Sequence, residues 1–306
     1  MKAMERILVL GLMLTAFCVV RAEEPDDTQI VTHILQARDE ILRSFGGTNS
    51  SPSPVFIAFW DFDGTILKGD CSEGLKAAGK PVYAGLAQVA IERGLSSVYP
   101  PEGGFDRFWT DYTNMETRVG AWLAYPFIPQ MLRGANADAV LQLSRRHFGG
   151  TLSNYLMASS VKIIHALQQS GVESHVVSAS ADLFVKGAAE CLAIPAPHIH
   201  GIEVRARDGR LTEEIVYPVT WNIGKLEKIR AVVAQMELES PGRKVFVVAG
   251  FGDSYNTDGP FLQFIATQKL PAGKPIAVFY DSNKEPDEYR NLFYQAKHSH
   301  TVSDPP

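Results

Sequence analysis

Cysteine is scarce, with three in 306 residues, which excludes a disulfide-built scaffold. Cys18 lies in an apolar N-terminal stretch, so Cys71 and Cys191 are the single pair an exported chain would have to join. Basic charge is short too. Lys and Arg number 29 against 34 Asp and Glu, for a net charge of −5, which argues against a nucleic-acid-binding face, since that would usually show a basic excess. No block of like charge is long enough to form an interaction tail, and there is no internal repeat or low-complexity tract. After Val20 no apolar run reaches the roughly 20 residues needed to cross a bilayer.

What is present begins with a leader pattern. Lys2 and Arg6 precede a 14-residue apolar core, Ile7 to Val20, followed by Val20-Arg21-Ala22 and then Glu23-Glu24. This reads as a signal peptide over 1–22, with export to the periplasm or medium and no membrane span left after cleavage. Residues 23–54 read as one amphipathic helix, Thr28 to Phe45, with Ile30, Ile34, Leu35, Ile41 and Leu42 on one side. A Ser/Pro linker follows, in which Asn49-Ser50-Ser51 forms a glycosylation sequon.

Four apolar runs then look like strands buried on both faces: Val55 to Phe59, Ser174 to Val177, Lys244 to Ala249 and Pro275 to Tyr280. Separated by helical stretches, they predict a parallel α/β sheet. The gap between the first two is too long for a simple crossover. Phe105, Phe108, Trp109, Tyr112, Val119, Trp122 and Leu123 recur there at helical spacing. We therefore expect a Rossmann-like core over 55–67 and 171–306, with a helical cap inserted over 68–170 that ends in the return helix Met157 to Gln169. Gly201 to Thr220 alternates around Asp208-Gly209, a hairpin signal.

The strand ends carry polar side chains toward one edge, where open α/β sheets bind ligands. Asp61 and Asp63 follow the first strand at i and i+2, so both address one locus. Two carboxylates that close repel unless a cation or a proton separates them, and Mg²⁺ meets that need with carboxylate and phosphate oxygens. Gly64 permits a tight turn and offers backbone amides to an anion. Ser178 has a hydroxyl for a phosphate oxygen, and Lys225 a point charge. Asp253 is followed by Ser254, Asn256 and Asp258. Each also has a plainer role open to it: turn aspartates, a capping serine, a surface lysine, a calcium or turn loop.

Together, DFDGT, VVSAS, NIGK and GFGDSYNTD, in that order from about Val55 to Tyr280, resemble the four motifs of the haloacid-dehalogenase-like (HAD) phosphohydrolase superfamily. The long insertion after the first motif and the hairpin before the lysine are similar to its phosphoserine-phosphatase-like branch. The resemblance implies a Mg²⁺-dependent hydrolysis of a small phosphomonoester through an aspartyl-phosphate. Asp61 would be nucleophile and Asp63 acid/base. Ser178, Lys225, Gly64 and Asn256 would contact phosphate, and Asp61, Asp63 (through its carbonyl), Asp253 and Asp258 would form the metal site. Asp258 stands one residue further from Asp253 than in the phosphoserine phosphatase pattern. A phosphotransferase or mutase on the same core, and a non-catalytic phosphate-binding protein, are the alternatives.

Asp70, Glu73 and Arg118 correspond to substrate-selecting positions of that branch, for an amine and a carboxylate. The cap aromatics Phe105, Phe108, Trp109, Tyr112, Trp122, Tyr125 and Phe127 read first as cap core and second as a cage for a quaternary ammonium. His198/His200 and His298/His300 have His-x-His spacing and read as surface histidines.

Overall fold

The computed structural model describes residues 26–46, 53–280, 284–298 and 300–304. The leader 1–22 and the sequon at Asn49 lie outside the described residues. The first helix, α1 (Asp26–Ser44), buries Ile30, Ile34, Ala37 and Ile41, one stripe at helical spacing.

Seven strands make the main sheet. In chain order the strands are β1 (Val55–Trp60), β2 (Gly74–Ala77), β3 (Lys80–Ala84), β4 (Val172–Ala181), β5 (Ile199–Arg207), β6 (Arg210–Val216), β7 (Val245–Gly252), β8 (Ile276–Tyr280) and β9 (Tyr294–Ala296). The sheet runs β6-β5-β4-β1-β7-β8-β9, and β2-β3 stand apart as a small hairpin. Every pair in the main sheet is parallel except β5–β6. All six residues of β1 are buried, as expected of a central strand covered on both faces. Phe56, Ala58 and Trp60 face the larger core, with α1, α6 (Ala158–Gln169) and the insertion. Val55, Ile57 and Phe59 face the second core, under α9 (Ile223–Glu239) and α10 (Tyr255–Thr267).

Between β1 and β4 the chain folds into the β2–β3 hairpin and then α2 (Leu86–Glu92), α3 (Gly104–Arg118), α4 (Ala121–Gln130) and α5 (Ala137–Gly150), before α6 leads back to the sheet. The expected insertion had no strands. The hairpin escaped notice because Leu75-Lys76-Ala77 and Lys80-Pro81-Val82 are largely exposed, so no buried alternation marks them. The remaining helices, α7 (Asp182–Val185) and α8 (Ala189–Leu192), are single turns after β4. The β5–β6 turn matches its sequence signal. Asp208 and Gly209 both take positive φ, 49° and 72°, the conformation that Asp-Gly favours. Among the described residues no helix is long and apolar enough to cross a membrane. Cys71 and Cys191 are both free.

Candidate active site

β1 ends at Trp60, and the next residue, Asp61, is 5% exposed. The Lys225 ammonium, on the first turn of α9, donates to Asp61 Oδ1 at 2.5 Å and to Asp258 Oδ1 at 2.6 Å. Thr65 Oγ1 donates to Asp61 Oδ2 at 3.1 Å. Burial raises the Asp61 pKa to about 6, with repulsion from Asp258 adding to the shift and Lys225 opposing it. Burial opposes the charge on Lys225, but Asp258 and Asp61 outweigh it and hold the lysine above its usual value.

Asp63 keeps part of its surface in the cleft but is fixed on both oxygens. Oδ1 accepts the Cys71 amide at 2.6 Å, and Oδ2 accepts Ser180 Oγ at 2.7 Å. Ser72 Oγ donates in turn to Ser180 at 3.0 Å. Burial lifts Asp63 to about 6 against the pull of Ser180. Ser180 lies two residues beyond Ser178 on β4, and this i, i+2 spacing was the available signal for a role that sequence reasoning did not assign it.

Asp253 stands after β7 and is pushed up to about 9 by burial, then by Asp61 and Asp258. Asp258 is fully buried. Its Oδ2 accepts the amides of Asp253 and Ser254 at 3.1 and 3.0 Å, and its Oδ1 accepts Thr257 Oγ1 as well as Lys225. Carboxylate oxygens of Asp61, Asp253 and Asp258 lie within 4.8 Å of one another.

These groups open on a cleft of about 160 Å³ lined by Asp61, Asp63, Asp70, Glu73, Asp253 and by Tyr112, Tyr125, Ile128, Ala179, Ser180, Ser254 and Thr257. Five of those side chains are carboxylic and none is basic. A phosphate dianion does not enter such a wall unless a cation offsets it. The clustered aspartates, with the one strained up to about 9, therefore fit a hard, oxygen-binding metal ion.

The other expected residues divide. Asp70 and Glu73 line the cleft. Asp70 Oδ1 accepts the amides of Ser72 and Glu73 at 2.6 and 2.8 Å. Glu73 Oε1 accepts the Tyr112 hydroxyl at 2.5 Å, and burial raises its pKa to about 7. Ser178 is fully buried behind the wall, and its Oγ accepts the Ser180 amide at 3.0 Å. Gly64 does not turn its amide to the cleft, because that N–H donates to Leu67 and Gly69 carbonyls. Asn256 is exposed on the first turn of α10, where its carbonyl accepts Asn222 Nδ2 at 2.6 Å. Arg118 is exposed at the last turn of α3. Neither lines the cleft; a helix that presents Tyr112 inward carries position 118, six residues on, to another side. Tyr112 and Tyr125 reach the cleft, while Phe105, Phe108, Trp109 and Phe127 pack on each other and on the two tyrosine-bearing helices.

Known proteins place this arrangement. Residues 58–263 match the model of the haloacid dehalogenase-like hydrolases. No curated protein matches the chain in sequence at a significant level. Among solved structures, a protein of unknown function from Bordetella pertussis Tohama I is 18% identical, with a TM-score of 0.58 over 79% of this chain and 98% of that one. A functionally unknown protein from Anaerococcus prevotii DSM 20548 is 12% identical, with a TM-score of 0.56 over 90% and 92%. A substrate-bound phosphoserine phosphatase is 13% identical at a TM-score of 0.45, covering 81% of this chain and 95% of its own. The two higher scores extend the same fold over most of the chain, and the matched family residues contain Asp61, Asp63, Ser178, Lys225 and Asp253. This chain belongs to the haloacid dehalogenase-like hydrolase family.

Proposed function

We propose that the protein hydrolyses small phosphomonoesters in two displacements through Asp61. The observation that carries this reading is the buried Asp61 carboxylate in the wall of an acidic cleft, held at 2.5 Å by Lys225. An Asp61 oxygen forms a bond to phosphorus as the ester P–O bond breaks, and Asp63 gives its proton to the departing alkoxide. Asp63 then takes a proton from water as the water oxygen bonds phosphorus. The Asp61–phosphorus bond breaks, and inorganic phosphate is released. A pKa near 6 suits a group that must act as acid and then base.

Lys225, beside Asp61, would meet a phosphoryl oxygen; the buried Ser178 hydroxyl instead accepts the Ser180 amide, and Ser180 and the Cys71 amide keep Asp63 aimed. Asp61, Asp253 and the Asp63 carbonyl would hold Mg²⁺, which supplies positive charge against the phosphoryl oxygens. Asp258, whose oxygens are already taken by four donors, positions Lys225 and the turn after β7 instead of ligating the metal. Residues 1–22 act as an export leader in this reading; the N-terminal sequence of the mature protein tests that.

The cap side of the cleft favours a cationic leaving group. Glu73, Asp70, Tyr112 and Tyr125 line it, an acidic and aromatic surface suited to an ammonium. Arg118, the candidate for a substrate carboxylate, is exposed outside it. Amino-alcohol phosphates such as phosphocholine and phosphoethanolamine therefore fit better than phosphoserine or sugar phosphates. The test is Mg²⁺-dependent phosphate release from an aryl phosphate and from that panel. No turnover by the Mg²⁺-loaded protein on any of them would end the proposal.

A further inference from the structure

A second cluster of ligand-type side chains lies on the sheet, away from the cleft. Glu173 and His175 occupy alternate positions of β4 and share a face. His198 ends the turn before β5, and His200 is its second residue. Register pairs Val176 with Ile199 and Val177 with His200, so His198 comes beside His175. Donor atoms of Glu173, His175 and His198 lie within 4.8 Å of one another. The His175 and His198 rings stack with centroids 4.0 Å apart, His200 follows at 6.2 Å from His175, and Glu173 Oε2 is 3.6 Å from His175 Nε2. The histidines are buried or half-buried, which corrects the expectation of surface histidines at 198 and 200.

His175 is the anomaly. It is 2% exposed, and neither ring nitrogen has a hydrogen-bond partner. His200 Nε2 is likewise buried without one. A buried polar atom left unpaired is costly, so such groups are expected to have a partner. We infer that Glu173, His175 and His198 form a site for a borderline transition-metal dication of the zinc class, with His200 beside it as a fourth candidate ligand. Imidazoles plus one carboxylate are the donors that zinc, cobalt and nickel take. Zinc bonds of about 2.0–2.1 Å place tetrahedral donors about 3.3 Å apart, so the present donor atoms, within 4.8 Å of one another, have to draw in by up to roughly 1.5 Å.

The charged groups nearby sharpen the choice of ion. The charges of Lys186 and Lys228 act on His200, and that of Arg243 on Glu173, although Lys186 is paired with Asp182. A hard cation held by charge alone is disfavoured among them. A metal bound through imidazole nitrogens is not, and Glu173 offsets part of its charge. His175 precedes Ser178 by three residues, about 10 Å along the strand, so the ion would brace β4 against β5 without entering the cleft.

The full chain, stripped by a chelator and returned to millimolar Mg²⁺, is titrated with Zn²⁺ by calorimetry and with Co²⁺ by visible absorption. The expected result is one Zn²⁺ per chain that Mg²⁺ does not displace, Co²⁺ d–d bands, and a higher Tm with Zn²⁺. His198→Ala and Glu173→Gln should each weaken Zn²⁺ at least tenfold, and His165→Ala, an exposed histidine on α6, should not. If His198→Ala fails to fold, Glu173→Gln decides. Absence of Zn²⁺ binding in Mg²⁺, or binding unchanged in the variants that fold, overturns the inference. Phosphate release is read separately, so neither outcome bears on Asp61.

Discussion

Gly64 and Asp253 compete for one small volume. A methyl group on Gly64 would stand 1.9 Å from Asp253 Oδ2. Gly64 also sits at φ 82°, which side chains rarely adopt. The glycine of the first motif thus makes room for the aspartate of the last, across the β1–β7 pair.

Gly64→Ala should therefore displace Asp253 and strain the turn together. We expect a stability loss of about 1–3 kcal/mol by denaturant titration. Half-saturation by Mg²⁺ should rise at least tenfold in the phosphate-release assay. An unchanged Mg²⁺ requirement would show that Asp253 is not a ligand.

Asp61→Asn should leave the melting temperature within a few degrees and lower phosphate release at least a thousandfold, because the carboxylate that Lys225 holds is the proposed nucleophile and an amide oxygen is a far poorer one. Aluminium or beryllium fluoride should inhibit the wild type. A variant with near-normal rate would remove the covalent mechanism.

Asp253→Asn separates stability from activity. Without metal, the raised Asp253 pKa marks a carboxylate the fold disfavours. Its neutral form is favoured below the unfolded pKa near 4, and that stability is lost as pH rises through about 9. In chelator, the variant should melt higher than wild type at pH 8 and alike near pH 4. It should also lose Mg²⁺-dependent turnover. A lower Tm for the variant at pH 8 in chelator would contradict this.

Glu73 gives a second pH handle. Its pKa rises from 4.5 to about 7 on folding, so folded protein holds the proton more tightly than unfolded. That contribution is fully present below about pH 4.5 and is lost as pH climbs through about 7, at a cost of up to about 3 kcal/mol at roughly 1.4 kcal/mol per unit. Glu73→Gln should be more stable than wild type at pH 8 and equal near pH 4. For phosphocholine or phosphoethanolamine its KM should rise about tenfold or more, with aryl phosphate little affected. Equal effects on both substrates would take Glu73 out of leaving-group recognition.

Legibility in the sequence followed burial and chain distance. β1, β7 and β8 were readable because their residues are mostly apolar on both faces, β4 through its Val176-Val177 centre, and Asp208-Gly209 announced its hairpin. β9, at the sheet edge, spans only Tyr294–Ala296, too short for a periodic signal. The DFDGT block gave Asp61 and Asp63 through local spacing. Ser180 was legible only through its i, i+2 spacing from Ser178 and Tyr112 only as one of several cap aromatics, while Thr257 reaches the same cleft through tertiary packing. Asn256 and Arg118 were expected from the family resemblance, and the exposed helix faces on which they lie, on α10 and α3, keep them out of the cleft. The Glu173–His175–His198 cluster was hidden for the same reason: its members come from two strands, and only the β4–β5 register brings them together.

The β5–β6 hairpin does more than widen the sheet. Gly134 and Ala137 amides donate to Leu211 and Gly209 carbonyls, and the Leu211 amide donates back to Ala135. The insertion is thus stitched by backbone to the rim of the core, and Arg210 Nη1 adds a bond to the Gly134 carbonyl at 2.8 Å. A roof sewn down along one eave does not lift as a rigid lid. The backbone ties at residues 134–137 fix this side of the insertion to the β5–β6 rim, so an opening motion of the insertion has to hinge there.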